Sequence, residues 1–263
     1  MLLTLFSIVR TIIPNSRFKE FLRKKFKKQI IKERQKSAWG TSTNAPQQTK
    51  ESVAFTLKLL ERCCRLKGSV IECGVYKGGN SFQIAKKLKE LKSDKNLYSL
   101  DTFEGFPYDD YENMPKELLK EVYVDKKPKK FKGMHTDVDL EQIKKWFAEN
   151  GLDNTIFLKG LFVDTFKQIL DEKFCFAYVD SDVYLSVKQC IEFLKNRMVL
   201  GGIIMFDDYN YKETLGCNRA VDELLEKDSI VILDDERITT VNKDGTPIRA
   251  YWVKTRLNDR KEV

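Results

Sequence analysis

Acidic residues stand at or near the ends of four apolar segments, each followed by a loop. They are Glu72, Asp101, Asp180 and the pair Asp207–Asp208. A single acid in such a place is commonly a solvated side chain or a helix cap. Four at one edge of a sheet would form a strongly negative rim. Such a rim suits a ligand that carries hydroxyl groups or a cation.

The segment from Glu72 to Ser81 has the pattern of a strand, a glycine loop and a helix start. An ordinary tight turn would explain Gly74 and Gly78 equally well. The loop matches neither a P-loop nor G-x-G-x-x-G, which disfavours a bound phosphate or dinucleotide. Asp101 ends the next strand, where a carboxylate can accept hydrogen bonds from vicinal ribose hydroxyls. Together these residues favour an adenosine-containing ligand without a pyrophosphate.

A second group of acids lies in the runs DSDVY, 180–184, and GGIIMFDDY, 201–209. Carboxylates from these two strand ends can converge on one hard cation, and Mg²⁺ prefers such oxygen ligands. The chain has a single histidine, His135, so sites that need two imidazoles are excluded. The alternative is that Asp182 and Asp208 cap the helices that follow them.

Alternating strand and helix patterns must position these acids. Short buried strands are predicted at 69–73, 97–101, 155–158, 174–180, 202–207, 229–233 and 250–254. Helices are predicted at 50–66, 81–91, 139–150, 163–170, 184–197 and 213–226. This order predicts a Rossmann-like, doubly wound, mostly parallel α/β sheet with helices on both faces. The weakly periodic stretch 102–133 is predicted to be a functional lid or insertion.

The positive charge is concentrated at the N-terminus. Residues 1–36 hold 11 basic and 2 acidic side chains (+9), whereas residues 37–263 hold 36 and 37 (−1). We therefore expect a basic amphipathic helical extension, 1–36, and a main domain, 37–263, that does not bind nucleic acid. The extension carries apolar residues at every fourth position: Phe18, Leu22, Phe26 and Ile30. This stripe would contact an anionic membrane surface, or pack on the domain or on a partner subunit.

The N-terminal apolar run and the cysteines indicate the cellular compartment. The apolar run 1–13 is shorter than the roughly 20 residues of a membrane span, and it lacks the features of a signal peptide. The six cysteines form no C-x-x-C pair, so we expect reduced thiols. The sequence thus predicts a cytoplasmic protein, with peripheral membrane contact through 1–36 and homo-oligomerisation as further expectations.

Five motifs of the body resemble those of the macrocin O-methyltransferase family and follow in the same order. They are IECGVYKGG, LDTFEGFP, KGLFVDTF, DSDVY and GGIIMFDDYN. The resemblance covers about residues 37–255. Members of this family are S-adenosylmethionine- and Mg²⁺-dependent enzymes that methylate sugar hydroxyls of glycosides. The resemblance implies a class I methyltransferase fold, with a seven-stranded sheet and one antiparallel strand near the C-terminus.

The resemblance also implies roles for individual residues. The implied cofactor-binding residues are Glu72, Gly74, Gly78 and Ser81 along the glycine loop, Asp101 at the ribose hydroxyls, and Thr102 and Phe103 near the adenine. The implied metal ligands are Asp180, Asp207 and Asp208, as in the related catechol O-methyltransferases. Those enzymes have a lysine base three residues after the first metal aspartate, where this chain has Val183. Asp182 and His135 are therefore the candidate bases.

The implied reaction is an in-line displacement at the sulfonium methyl group, for which the enzyme aligns the acceptor oxygen. Because a sugar hydroxyl is a weak nucleophile, Mg²⁺ bound to vicinal hydroxyls and a nearby base would favour the alkoxide. Three alternatives stay open: a catechol or phenol methyltransferase, a NAD-dependent oxidoreductase, and a non-enzymatic membrane-surface adaptor. The glycine pattern argues against the oxidoreductase, and the intact acidic set argues against the last two.

Overall fold

The computed structural model describes residues 46–48, 50–125, 127–211, 213–225, 230–232 and 249–255. The predicted extension 1–36 lies outside this part of the chain. All six cysteines lie within it and are free thiols. No helix among the described residues is long and apolar enough to cross a membrane.

Seven strands of the described chain form one sheet in the order β3-β2-β1-β4-β5-β7-β6. Their bounds are β1 Ser69–Cys73, β2 Leu97–Asp101, β3 Thr155–Lys159, β4 Phe174–Val179, β5 Met198–Phe206, β6 Ile230–Ile232 and β7 Ala250–Val253. The first five strands pair in parallel. Strand β7 is antiparallel to both of its neighbours. The predicted doubly wound sheet, with one antiparallel strand near the C-terminus, is confirmed.

Helices cover both faces of the sheet. They are α1 Lys50–Cys63, α2 Gly79–Glu90, α3 Asp110–Asn113, α4 Lys116–Val122, α5 Leu140–Glu149, α6 Phe162–Thr165 with a 3₁₀ turn at Phe166–Ile169, α7 Tyr184–Lys195 and α8 Leu215–Leu224. Alternate strand residues face opposite sides. One buried cluster therefore joins the sheet to α7 and α8, and a second joins it to α1, α2 and α5.

The stretch 102–133, which we call the insertion, contains the short helices α3 and α4 instead of a continuous loop. Asp109 caps α3 by accepting a hydrogen bond from the Glu112 N–H at 3.2 Å. Asp110 accepts from the Tyr123 hydroxyl at 2.6 Å and from the Tyr184 N–H, at the start of α7, at 2.7 Å. The insertion is therefore fastened to the first turn of α7.

Helix capping does not account for the acids that follow β4 and β5. The N-cap of α7 is Val183, with no side-chain cap bond. Helix α8 begins only at Leu215, with Thr214 as its N-cap. The alternative that Asp182 and Asp208 cap the following helices is therefore wrong, and these carboxylates are left for another role.

The parallel ladder continues past the strand ends and fixes two of the acids side by side. The Asp180 N–H donates to the Cys73 carbonyl at 2.9 Å, and the Asp207 N–H donates to the Val179 carbonyl at 3.0 Å. Neighbouring strands therefore present their acids at one edge, as expected for a sheet of this kind.

Gly74 permits the close approach of the ends of β1 and β4. Its φ is +94°, and a Cβ there would lie 1.8 Å from the carbonyl oxygen of Asp180. Gly74→Ala should lower the free energy of unfolding by about 3 kcal/mol or more, because backbone must move. The control is Gly133→Ala, since Gly133 has φ +77° but nothing within 4 Å of an added Cβ. It should cost only about 1–2 kcal/mol. Equal losses in urea unfolding would contradict this prediction.

Candidate active site

A cavity of about 310 Å³ lies beyond the carboxyl ends of the central strands. The strand order reverses there, between β1 and β4, which is where open α/β sheets bind ligands. Nine of the residues predicted from the sequence line it: Glu72, Gly74, Asp101, Thr102, His135, Asp180, Asp182, Asp207 and Asp208. The structure thus brings the glycine loop and the acidic group to one cavity.

The carboxylate of Asp101 holds the glycine loop in place. Its Oδ2 accepts hydrogen bonds from the N–H groups of Val75 at 2.7 Å and Tyr76 at 2.9 Å. Its Oδ1 accepts from the Phe103 N–H at 2.7 Å, while the nearby Thr102 hydroxyl donates to the Gly105 carbonyl at 2.6 Å. Three backbone donors leave acceptor capacity on this carboxylate, which can accept about four hydrogen bonds. Asp101 is therefore the link between the loop after β1 and the end of β2.

Glu72 is a buried carboxyl group at the floor of the cavity, with 1% of its surface exposed. Its Oε1 accepts a hydrogen bond from the Asn80 amide at 2.8 Å, and its Oε2 accepts one from the Ser81 hydroxyl. Burial raises its pKa to about 7, although both hydrogen bonds act in the opposite direction. Glu72 therefore changes charge near neutral pH.

Three residues of the predicted cofactor set do not line the cavity. Ser81 is fully buried behind Glu72, and its hydroxyl also lies 2.9 Å from that of Ser99. Phe103 packs its ring against Phe157, with 6.2 Å between ring centroids. Gly78 is the left-handed N-cap of α2, with φ 78°. All three support the residues that form the wall.

The carboxylates of Asp180, Asp207 and Asp208 form one cluster. One oxygen of each lies within 4.8 Å of the others. Burial, and then repulsion from neighbouring carboxylates, raises the pKa of Asp180 and Asp208 well above its usual range. Oδ2 of Asp208 is buried and has no hydrogen-bond partner. A buried acceptor of this kind, among converging carboxylates, is what an oxygen-ligated cation site requires.

Side chains from three other parts of the chain hold this cluster. Oδ1 of Asp207 accepts from the Arg249 guanidinium at 2.6 Å and from the Tyr178 hydroxyl at 2.5 Å. Oδ2 of Asp180 accepts from the Gln48 amide at 2.9 Å. Gln48 belongs to the segment before α1, which also lines the cavity.

The two candidate bases occupy different parts of the cavity. Asp182 follows the β4 acid, has φ +57°, and interacts electrostatically with Asp207 and Asp208. Burial, followed by weaker effects of nearby charges, raises the pKa of Asp182 to about 7. His135 lies where the insertion returns to the glycine loop, with φ +59°. Burial lowers the pKa of His135, so its imidazole is neutral near neutral pH.

Aromatic side chains join the insertion to the glycine loop. The ring of His135 lies 4.4 Å from that of Tyr76 and 5.5 Å from that of Phe106, measured between centroids. The Tyr76 hydroxyl donates to Asp137 at 2.8 Å, and Lys77 forms an ion pair with the same carboxylate. Tyr76, Lys77, Phe106 and His135 all line the cavity, so these contacts form part of its wall.

Sequence reasoning missed Gln48, Arg249, Tyr178 and the Tyr76–Lys77 pair. The sequence offered one signal for Arg249. This arginine directly precedes a short apolar strand, and the acids it could pair with also stand at strand ends. Pairing of Phe206 with Ala250 places Arg249 next to Asp207, but this register follows only from the structure. Gln48 carried no signal, because its contact with Asp180 spans 132 residues.

The sheet order and the position of the cavity define a Rossmann-like class I methyltransferase fold. The chain belongs to the macrocin O-methyltransferase family, because the family described as Macrocin-O-methyltransferase (TylF) matches residues 13–250. This match begins within the basic N-terminal segment. The expectation that the resemblance starts near residue 37 was therefore wrong.

Two relatives have described activities. One from Streptomyces olivaceus, an 8-demethyl-8-(2,3-dimethoxy-alpha-L-rhamnosyl)-tetracenomycin-C 4'-O-methyltransferase, is 29% identical over 175 residues, 60% of this chain and 64% of the relative. One from Streptomyces niveus, a demethyldecarbamoylnovobiocin O-methyltransferase, is 26% identical over 195 residues, 72% of this chain and 67% of the relative. The aligned regions thus span roughly two thirds of each relative.

Solved structures support the fold. The O-methyltransferase NovP superposes with a TM-score of 0.62 at 21% identity and covers 86% of this chain and 88% of its own. The calicheamicin methyltransferase CalS11 superposes with a TM-score of 0.60 at 17% identity and covers 93% of this chain and 96% of its own.

The raised pKa of Glu72 predicts a pH-dependent effect on stability. Between pH 4.5 and about 7 the folded chain holds a proton that the unfolded chain releases, so this carboxyl lowers stability as pH rises. Glu72→Gln should raise the free energy of unfolding by on the order of 2 kcal/mol at about pH 8 and should change it little at about pH 4.

Urea unfolding of chelator-treated protein at the two pH values measures this difference. Glu117→Gln is the matched control, because Glu117 is an exposed acid of α4, and it should shift stability by less than about 0.5 kcal/mol. A Glu72→Gln effect of the same size at both pH values would show that the charge of Glu72 is not the cause.

Proposed function

We propose that this protein is an S-adenosylmethionine- and Mg²⁺-dependent O-methyltransferase that methylates a hydroxyl group of a sugar or glycoside. One observation carries the proposal: a glycine loop pinned by Asp101 and a cluster of three carboxylates face the same cavity. Such a methyl transfer needs a surface that binds the cofactor and a surface that binds a cation in the same cavity. Family membership and the described activities of the two relatives support it.

The cofactor wall would be formed by Glu72, Gly74, Asp101 and Thr102. Asp101 fixes the loop through two backbone N–H groups, so we propose that it shapes the site in addition to facing the ribose hydroxyls. Glu72 lies at the floor with its carboxyl oriented by Asn80 and Ser81. It would face the methionine side of the ligand, whose amino group suits a carboxylate.

The metal ligands would be Asp180, Asp207 and Asp208. Their fit to Mg²⁺ rests on the all-oxygen donor set and on the unpartnered Oδ2 of Asp208. When bound, the ion would supply Lewis-acid stabilisation of the acceptor oxygen. The three carboxylates would orient the acceptor, and their mutual repulsion would be relieved by the opposite charge.

Asp182 is the general base in this proposal. It lies at the same strand end as the ligand Asp180, and its carboxylate is held near the cluster by a backbone conformation that aspartate adopts readily. A proton of the acceptor hydroxyl would move to its carboxylate. His135 would form part of the wall, because its ring packs against Tyr76 and Phe106.

We propose a small-molecule sugar or glycoside as the acceptor and a cytoplasmic location. A catechol acceptor would use the same cofactor and metal, so acceptor preference is the direct test. Purified protein should transfer label from S-adenosylmethionine to members of a panel of nucleotide sugars and glycosides, and not to catechols. Transfer to catechols alone would replace the sugar assignment. The absence of any cofactor binding in calorimetry would overturn the proposal and favour an adaptor.

The cluster predicts a strict metal requirement. Asp208→Asn should lower turnover by at least about 10²-fold, because the centre loses a ligand charge, and it should leave cofactor affinity within about threefold. Chelator should have the same effect on the wild type and be reversed by added Mg²⁺. Asp171→Asn, at an exposed acid, should retain full activity. Full activity in chelator would mean that the triad is structural.

If Asp182 is the base, its substitution should lower kcat without changing the affinity for cofactor or Mg²⁺. Asp182→Asn keeps the shape and the left-handed backbone preference and should lower kcat by about 10²–10⁴-fold, with cofactor and Mg²⁺ affinities unchanged. His135→Asn, made at a residue with a similar φ, should lower kcat by less than about tenfold. The reverse ranking in steady-state kinetics would assign the proton transfer to His135.

We also propose that residues 1–36 are separable from the domain 37–263 and contact anionic membranes or a partner subunit. A chain beginning at residue 37 should fold and bind cofactor. The full-length chain should bind vesicles that contain phosphatidylserine, and this binding should weaken as salt rises, because polybasic attraction is screened. No vesicle binding, with a changed mass in light scattering after truncation, would assign the segment to oligomerisation instead.

A further inference from the structure

We propose that Arg249 is a specificity-determining residue of the metal site: its charge lowers the affinity of the acidic cluster for a trivalent cation more than its affinity for a divalent one. This inference rests on the proposed site at Asp180, Asp207 and Asp208. Arg249 lies outside the run of motifs that carry the family resemblance and contributes no ligand.

The contact of Arg249 with the cluster is buried and direct. Nε and Nη2 of Arg249 both lie 2.6 Å from Oδ1 of Asp207, and the two side chains are 3% and 13% exposed. The Tyr178 hydroxyl donates to the same oxygen at 2.5 Å. Three donors on Oδ1 exceed what one carboxylate oxygen normally accepts. Oδ2 of Asp207 is therefore the oxygen left for an ion.

The guanidinium is a fixed positive charge in contact with a cluster of negative ones. It carries +1 at every accessible pH, whereas Asp180, Asp207 and Asp208, with Asp182 beside them, supply the negative charge that attracts a cation. Lys129, another cation of the cavity wall, forms an ion pair with Glu213 at 3.0 Å, so its charge is already balanced.

Loss of the guanidinium charge should change the ranking of ions. A trivalent ion is repelled by the guanidinium more strongly than a divalent ion in the same place. Neutralising residue 249 should therefore raise the affinity for a trivalent ion more than the affinity for Mg²⁺. If Arg249 only held the Asp207 carboxylate in place, loss of the Tyr178 hydrogen bond to the same oxygen should change the ratio of the two affinities as much as loss of the charge does.

The experiment measures two dissociation constants for each full-length variant. Terbium(III) binding is followed by luminescence sensitised by the aromatic side chains of the protein, and Mg²⁺ binding by competition. Arg249→Gln keeps a donor but no charge, and it should raise the ratio of terbium to Mg²⁺ affinity by roughly tenfold or more. Arg249→Met is a second neutral variant of similar length and should give the same shift.

Two controls separate charge from geometry. Arg249→Lys keeps the charge, and Tyr178→Phe removes a hydrogen bond from the same Asp207 oxygen with no change of charge. Both should leave the affinity ratio within about threefold of the wild type. Circular dichroism confirms that each variant is folded before titration.

The outcomes distinguish this inference from the proposal beneath it. If neutral variants at position 249 keep the wild-type ratio, Arg249 only positions Asp207 and the inference is overturned. If Tyr178→Phe shifts the ratio as much as Arg249→Gln, geometry and not charge sets the preference, which also overturns it. If the wild type binds Mg²⁺ no better than Asp208→Asn, the metal site itself is absent and the proposed function loses its metal.

Discussion

The structure depends on one electrostatic constraint: it is unfavourable to place several carboxylates close together at the ends of neighbouring parallel strands. Repulsion and burial raise the pKa of Asp180 and Asp208 together, so the centre opposes its own full ionisation. Part of this cost is offset by the ion pair of Asp207 with Arg249. A bound cation would offset the remaining unfavourable free energy. The repulsion among the carboxylates, which is unfavourable in the metal-free protein, would therefore favour metal binding.

The second wall of the cavity uses its acids differently. Asp101 accepts hydrogen bonds from three backbone N–H groups, and it fastens the loop after β1 to the end of β2. Glu72 is likewise held by two side chains of α2. Acids along one sheet edge thus differ in their partners: Glu72 and Asp101 are held by hydrogen-bond donors of the protein, whereas Asp180, Asp207 and Asp208 lie mainly among one another.

Much of this arrangement could be predicted from the sequence. Short apolar strands that end in acids gave β1 and β2 with correct bounds, because buried parallel strands leave a continuous apolar signal. Helices α3 and α4 were missed, since elements of 4 and 7 residues have no room for a helical period. Arg249 and Gln48 were missed because they reach the cluster through antiparallel register and long-range packing, which composition does not encode.

The position of Arg249 after all the acids of the cavity has a consequence for biosynthesis. During translation, the acids after β1, β2, β4 and β5 leave the ribosome before the residue that balances Asp207. Strand β5 also has an open edge until β7 pairs with it, and such an edge favours pairing with other chains. Until β7 is synthesised, β5 therefore lacks its antiparallel neighbour and Asp207 lacks its guanidinium partner.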